Sequence, residues 1–281
     1  MRRRTRDTVL VHVAAVLVAV LILLPFAYMI SASLSPQANL ISRPPQWVPD
    51  HLDWSRYRQI FTGDGGAGTT FRAAMVNSTI VAVATVAISM AVGILGAYAF
   101  ARLEFRGRRA TLMVFLATYM LPQIALLIPM YLILNSLALL DTRIGLIVVD
   151  CSLIIPFTLW ILSNYFLTVP VDLEDAARID GCTRVGALFR VILPSAKPGI
   201  FAAIMFAFLL AWDEFMYALV FTSSDSSKTL PVAISEFAGR YTTDFGLVAA
   251  GGILAALPPV CVAIIFQRYV VSGMAAGAVK G

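Results

Sequence analysis

Charge is the scarcest ingredient of this chain. Only 13% of its 281 residues are Asp, Glu, Lys or Arg, against about 25% in soluble domains, so a water-facing surface cannot be built from it. Histidine and cysteine are nearly as rare. The two histidines, His12 and His51, sit in no HExxH pattern, which removes the common zinc-hydrolase arrangement. Cys151, Cys182 and Cys261 form no CxxC, and small buried filling is the expectation for them rather than metal or redox work. A Walker A lysine is also missing. Gly63-Asp64-Gly65-Gly66-Ala67-Gly68 fits the letters GxGxxG, but Thr69 stands where a P-loop needs Lys and no strand precedes it, so a flexible turn is expected. The net charge of +5 comes without a basic patch interleaved with aromatics, so no nucleic-acid partner is expected.

What remains is apolar sequence, 59% of the chain, gathered into runs long enough to cross a bilayer. The first, Thr8 to about Ile30, follows an Arg-rich start and precedes Ser31-Ala32-Ser33, which resembles a cleavage site. It exceeds the roughly 7–15 residues of a signal-peptide core and meets the about 20 that a span needs, so an uncleaved first span is expected. Further spans are expected at about 73–101, 110–134, 144–168, 198–221 and 246–270. The fold class is therefore an all-α polytopic membrane protein with six transmembrane helices, organised as one transmembrane domain over residues 1–281. Ser89, Gly93, Ala97 and Ala101 recur every fourth position and predict a face for close helix packing. Pro122 and Pro129 predict a kink or break in span three. Pro156, Gly251-Gly252 and Pro258-Pro259 mark further bends, and a tail follows from Val271.

The sparse charge fixes an expected orientation. With the N-terminus in the cytoplasm, fourteen Lys and Arg fall inside and seven outside, among them Arg43, Lys228 and Arg240; Lys280 counts inside. The positive-inside rule favours that arrangement, which puts both termini in the cytoplasm, leaves 31–72, 135–143 and 222–245 as outer loops, and makes 169–197 a cytoplasmic loop between spans four and five.

That loop holds the longest polar, helix-competent segment, Asp172 to Pro194. Asp172 is expected to cap a helix with Leu173, Ala176 and Ala177 on its apolar face, Glu174 and Asp175 in its first turn, and a left-handed cap at Gly181. Thr183 is expected to start a second helix, with Val185, Leu188, Phe189 and Ile192 on one face, ended by Pro194. An interfacial linker lying in the headgroups is the plainer reading of the same pattern. A second polar feature is Asp213-Glu214 in span five, some 20 Å up from Pro198 at about 1.5 Å per residue. Ionisable groups at such depth point to function: lining a solute path, or pairing with a partner subunit. A satisfied structural network is the alternative. Asp150, nearer the outer boundary, reads as structural.

The register Asp175-Ala176-Ala177, Gly181, Val191-Ile192-Leu193-Pro194 resembles the signature loop of inner-membrane permeases in binding-protein-dependent ABC importers, with Asp175 in place of the usual Glu and Val191 in place of Ile. Asn77-Ser78, Ala97 through Gly107, Trp212-Asp213-Glu214-Phe215 and the Gly-Ala-Val-Lys-Gly end are similar to the carbohydrate-importing branch, and to the smaller six-span permease of maltose-type transporters, with Asp213 where Asn is common. The resemblance implies a multi-pass subunit of the bacterial cytoplasmic membrane that hydrolyses nothing itself and binds no cofactor, ATP and Mg being used by a partner ATPase dimer. It implies a second related permease, an extracytoplasmic solute-binding protein and the lipid bilayer as further partners. It implies ATPase docking and coupling through Glu174, Asp175, Ala176, Ala177, Arg178, Asp180, Gly181, Leu193 and Pro194, and makes Trp212, Asp213, Glu214 and Tyr217 candidates for the translocation pathway. The implied solute is a sugar or sugar-like molecule; a polar non-sugar such as glycerol 3-phosphate is the alternative. A stand-alone membrane enzyme or a passive channel is disfavoured, the first lacking a nucleophile–base or metal constellation and the second having no use for the cytoplasmic stretch.

Overall fold

The structure is a computed structural model that describes residues 2–42, 46–63, 66–238 and 244–278, with side chains from Thr8 to Tyr269. Arg43, Pro44, Pro45, Asp64, Gly65, Arg240, Lys280 and Gly281 lie outside the described residues. The described chain is helical with no strand: α1 (Arg2–Ser33), α2 (Gln37–Leu40), α3 (Ser55–Thr62), α4 (Ala67–Arg102), α5 (Arg108–Tyr119), α6 (Gln123–Ser136), α7 (Arg143–Thr168), α8 (Val171–Ile179), α9 (Arg184–Ala187), a π turn (Leu188–Ile192), α10 (Leu193–Ser195), α11 (Lys197–Trp212), α12 (Met216–Phe221), α13 (Leu230–Phe237) and α14 (Phe245–Ala278). Five stretches are long and apolar enough to cross a membrane, and the pair α5 and α6, bent by 95°, makes a sixth. The bend falls at Pro122, which caps α6 in an extended conformation, while Pro129 is accommodated inside α6. Two prolines are predicted breakers; the one preceding a free helix start is the one that breaks.

The chain divides into two compact units, residues 1–72 with 233–256 and residues 73–232 with 257–281. In the first, Arg56 is 4% exposed, pairs with Asp244 at 3.0 Å and donates to the carbonyls of Ser33 and Ser35. Phe71 stacks on Phe237, and residues 8–28 of α1 are exposed throughout.

In the second unit the small-residue face of α4 lies against α7. Ser89, Ala97 and Ala101 are buried, and a Cβ at Gly93 would meet Thr158 at 3.2 Å. One core joins Met90, Ala97, Tyr98, Leu162, Phe166, Leu188, Ile192 and Ala203, so the loop after α7 is packed into the same apolar cluster as the helices around it. A second core holds Val81, Leu134, Leu146, Val149, Tyr217 and Phe221. The segment after α12 is tied back to these helices: Asn77 Nδ2 donates to the carbonyls of Asp225 and Lys228, and Ser78 Oγ accepts from Leu230 N–H.

α11 and α12 together occupy the predicted span 198–221 but are interrupted at Asp213–Phe215. No Gly or Pro marks the break. Its cause is Glu214, whose carboxylate accepts the N–H groups of Tyr217 at 2.7 Å and Ala218 at 2.9 Å. The side chain takes the place that backbone carbonyls of a preceding turn would fill.

Candidate functional site: the anchored loop and the broken helix

Two features stand out in the second unit. The first is the loop from Val171 to Ser195. α8 starts after Pro170, so Asp172 lies in the first turn beside Glu174 instead of capping it. Both acids still face the positive end of the helix dipole. α8 ends as predicted at Gly181, which has φ +89. Cys182 N–H bonds Ala177 O at 2.9 Å and Gly181 N–H bonds Arg178 O at 3.1 Å, the paired Schellman pattern. Thr183 then caps α9, its hydroxyl accepting from Gly186 N–H at 3.1 Å. Pro194 does not end this second helix. The π turn feeds Leu193 N–H to Leu188 O, and the chain stays helical through Ser195. The wider turn absorbs the bond that proline cannot make.

The inward face of α8 keeps only Ala177 of the predicted three. Leu173 and Ala176 are exposed, and the buried positions are Glu174 and Ala177. Glu174 is 7% exposed. Its Oε1 accepts the Tyr98 hydroxyl at 2.5 Å, and its Oε2 lies 3.3 Å from Arg102 Nε, an ion pair without hydrogen-bond alignment. Arg102 Nη2 also donates to Val169 O at 2.6 Å. The end of α4 therefore holds the loop by a buried carboxylate at its centre and a backbone carbonyl at its start. A buried carboxylate is tolerated because it is paired and hydrogen-bonded. Outward, α8 and α9 present Asp175, Arg178 and Asp180 among exposed apolar side chains: Val171, Leu173, Val185, Phe189, and Ile179 at 86% exposure. Leu193 is half-buried and Pro194 exposed.

The second feature is a cavity of about 550 Å³ beside the break between α11 and α12. Asp150 of α7 lines it together with Asp213, Glu214, Tyr119, Gln123, Phe206 and Phe215. Of the four predicted pathway residues, the structure brings Asp213 and Glu214 here. Trp212 and Tyr217 are not in its wall: Trp212 stacks on Phe208, and the fully buried Tyr217 sits behind the wall, donating its hydroxyl to O of the lining Gln123 at 3.2 Å. Asp213 is exposed. Glu214 is occupied by the two N–H groups at the start of α12. Asp150, read from the sequence as structural, is 2% exposed, and its Oδ1 has no hydrogen-bond partner among the described residues. The signal that could have found it was present: a carboxylate inside an apolar run is expensive unless used. Tyr98 and Arg102 were legible only as parts of a family stretch, with no sign that they reach Glu174. Among the described residues no group of three or more His, Cys, Asp or Glu is placed to hold a metal ion.

Outside the spans, Asp141 has φ 55 and accepts the N–H groups of Ser223 and Ser224 at 2.9 and 3.0 Å, with the Ser227 hydroxyl as a further donor. Burial pushes its carboxyl up, but these donors outweigh it and hold the group well below the usual carboxylate range.

Apolar stretches enough for six crossings, one of them broken at a proline and one at a glutamate, with a helical loop clamped to the end of α4, define a polytopic membrane protein. The chain belongs to the family described as binding-protein-dependent transport system inner membrane component, which matches residues 88–276; it is a permease subunit of the ABC importer type. It is 36% identical to the sulfoquinovosyl glycerol transport system permease of Agrobacterium fabrum, over 96% of this chain and 93% of that one. It is also 36% identical to the trehalose transport system permease of Mycobacterium tuberculosis, over 92% and 93%. With the diacetylchitobiose uptake system permease of Streptomyces coelicolor it shares 32% identity over the full length of both. Among solved structures, a chain of a bacterial ABC transporter that imports the acidic polysaccharide alginate superposes with a TM-score of 0.77 at 25% identity, over 96% of this chain and 98% of that one.

Proposed function

We propose that this chain forms part of the transmembrane pathway for a sugar or sugar-like solute and that its loop from Val171 to Ser195 couples the pathway to a separate cytoplasmic ATPase. The observation that carries the reading is the two-sidedness of α8. Its inner side is fixed to α4 through Glu174, Tyr98 and Arg102, while its outer side offers Val171, Leu173 and Ile179, exposed among the described residues. A rigidly held helix with an uncovered apolar side is suited to seat in a cleft and to pass on its displacement. Closure of an ATPase pair around bound ATP would shift α8, and α4, α7 and α11, which share a core with Leu188 and Ile192 of the same loop, would move with it. Transport-system relatives named for trehalose and diacetylchitobiose support a carbohydrate solute.

In this arrangement both termini and the α8 loop face the cytoplasm, a second permease completes the pathway, and a binding protein delivers solute at the opposite face. One of the solved relatives is an alginate transporter in complex with a periplasmic protein carrying an alginate pentasaccharide, which supports the last step.

Ile179→Asp tests the docking. The residue is almost wholly exposed, so the fold does not depend on it, whereas burying an isoleucine side chain at an interface is worth about 1.5–3 kcal/mol. The variant is expected to insert normally and to lose co-purification with the ATPase. Wild-type recovery of the ATPase would remove α8 as the docking element.

A further inference from the structure

The cavity beside the α11–α12 break is lined by three carboxylates and, among the described residues, by no Lys, Arg or His. The rest of its wall is Leu, Ile and Met, with Gln123 and the rings of Tyr119, Phe206 and Phe215. Its size, about 550 Å³, lies within the roughly 300–1,000 Å³ of small-molecule sites. The three acids are not equivalent. Glu214 is engaged by the N–H groups of Tyr217 and Ala218. Asp213 is exposed in the unwound segment. Asp150 is buried to 2% exposure with Oδ1 unpartnered, although its helix neighbours are packed in apolar contacts. Non-helical backbone at membrane depth is tolerated where it is buried in protein or lines a watery cavity, and broken spans of transporters commonly frame the solute site.

We infer that this cavity is a solute contact site that selects by charge, admitting neutral or amino-bearing polyhydroxylated solutes and rejecting anionic ones such as uronates, sulfonates and phosphate esters. The inference rests on the pathway reading above and adds to it the class of solute. Asp150 and Asp213 offer acceptors for sugar hydroxyls or an ammonium group. The rings of Tyr119, Phe206 and Phe215 offer apolar faces for the C–H faces of a sugar. An anionic solute would meet like charge in low-dielectric surroundings with no cation in the wall.

The test reads the sign of the cavity without knowing the solute. In the assembled transporter reconstituted in vesicles, with Cys151, Cys182 and Cys261 replaced by Ala, Leu209→Cys places one thiol in the wall. Its rates of modification by the trimethylammonium-ethyl and the sulfonatoethyl methanethiosulfonates are measured, each normalised to the reagent's rate with 2-mercaptoethanol. The neighbouring Leu210→Cys serves where Leu209→Cys fails to assemble. The cationic reagent is expected to react faster by about tenfold or more, the range over which like-signed clefts concentrate counter-ions. The ratio should fall several-fold when Asp150→Asn and Asp213→Asn are added, Glu214 remaining in the wall; a ratio unchanged by both would overturn the inference. A wild-type ratio at or below one overturns the charge selection while leaving the cavity on the pathway. Reaction with neither reagent, for a thiol that reacts once the protein is denatured, shows that water does not reach the cavity, and the pathway reading falls with the inference.

Discussion

Glu174 and Asp150 are both buried carboxylates in a chain with little charge to spare, and they are kept in opposite ways. Glu174 is surrounded: a tyrosine hydroxyl on one oxygen and a guanidinium beside the other. Asp150 sits at 2% exposure with Oδ1 accepting nothing. The first arrangement holds two elements together. The second leaves binding capacity unspent next to a cavity. On the function proposed above, the difference separates a mechanical joint from a site for a passing solute.

The largest expected effect comes from unbalancing the joint. Arg102→Met leaves the Glu174 carboxylate buried with only Tyr98, and breaking such a pair from one side costs about 3–5 kcal/mol. The thermal midpoint of the assembled transporter should fall sharply. Adding Glu174→Gln should recover most of the loss, because the uncompensated charge is gone. A fall equal in single and double variants would mean that Arg102 acts through packing alone.

Asp150→Asn is expected to change stability in the other direction or not at all, by about 0–1.5 kcal/mol, since it replaces a desolvated ionisable group by a neutral one and takes no partner away. Transport should suffer while the thermal midpoint does not. A destabilisation like that of Arg102→Met would erase the contrast and make Asp150 a structural group.

Asp141 provides the smallest effect and a control for pH. Its folded carboxyl lies below the ordinary range because Ser223, Ser224 and Ser227 donate to it. A depressed carboxyl contributes stability that is fully present above the unfolded value, about 3.9, and is lost as pH falls through the folded value. Thermal stability should therefore carry an Asp141 increment that is constant from neutral pH to about 5 and declines only in more acid solution. Asp141→Asn should lose that increment at neutral pH and show a shallower acid decline. Asn suits the left-handed backbone at φ 55, so the charge is tested without adding strain. An unchanged acid profile would refute the assignment.

Much of this was readable in the residues. The apolar runs, the polar island between spans four and five, the glycine cap at Gly181 and the helix start at Thr183 all follow from local chemistry, and the structure has them. What local pattern could not supply was the partner of each face. Periodicity put Leu173 and Ala176 inward because they are apolar, but Tyr98 and Arg102, far upstream, turn Glu174 inward instead. The cap of α8 is Pro170 rather than Asp172, because the proline ring holds that residue's φ at -56 with an extended ψ of 136 and the helix starts directly after it. The break in span five is invisible to Gly and Pro rules, since a glutamate makes it by capping the following helix. Asp150 stands in an apolar run whose pattern carries no sign of the cavity that the fold brings to it.

On the proposed coupling, α8 converts movement of the ATPase into movement of the pathway, and Gly181 is where that conversion is most open to test. Nothing crowds a side chain there, so Gly181→Val acts through the backbone, where a left-handed L-residue costs about 1–2 kcal/mol. The decisive measurement is sugar imported per ATP hydrolysed by the assembled transporter in vesicles, with a sugar that the wild type carries. The ratio is expected to drop in Gly181→Val, with hydrolysis persisting while import fails. A ratio equal to that of the wild type, in a variant verified to be inserted and assembled, would contradict the account.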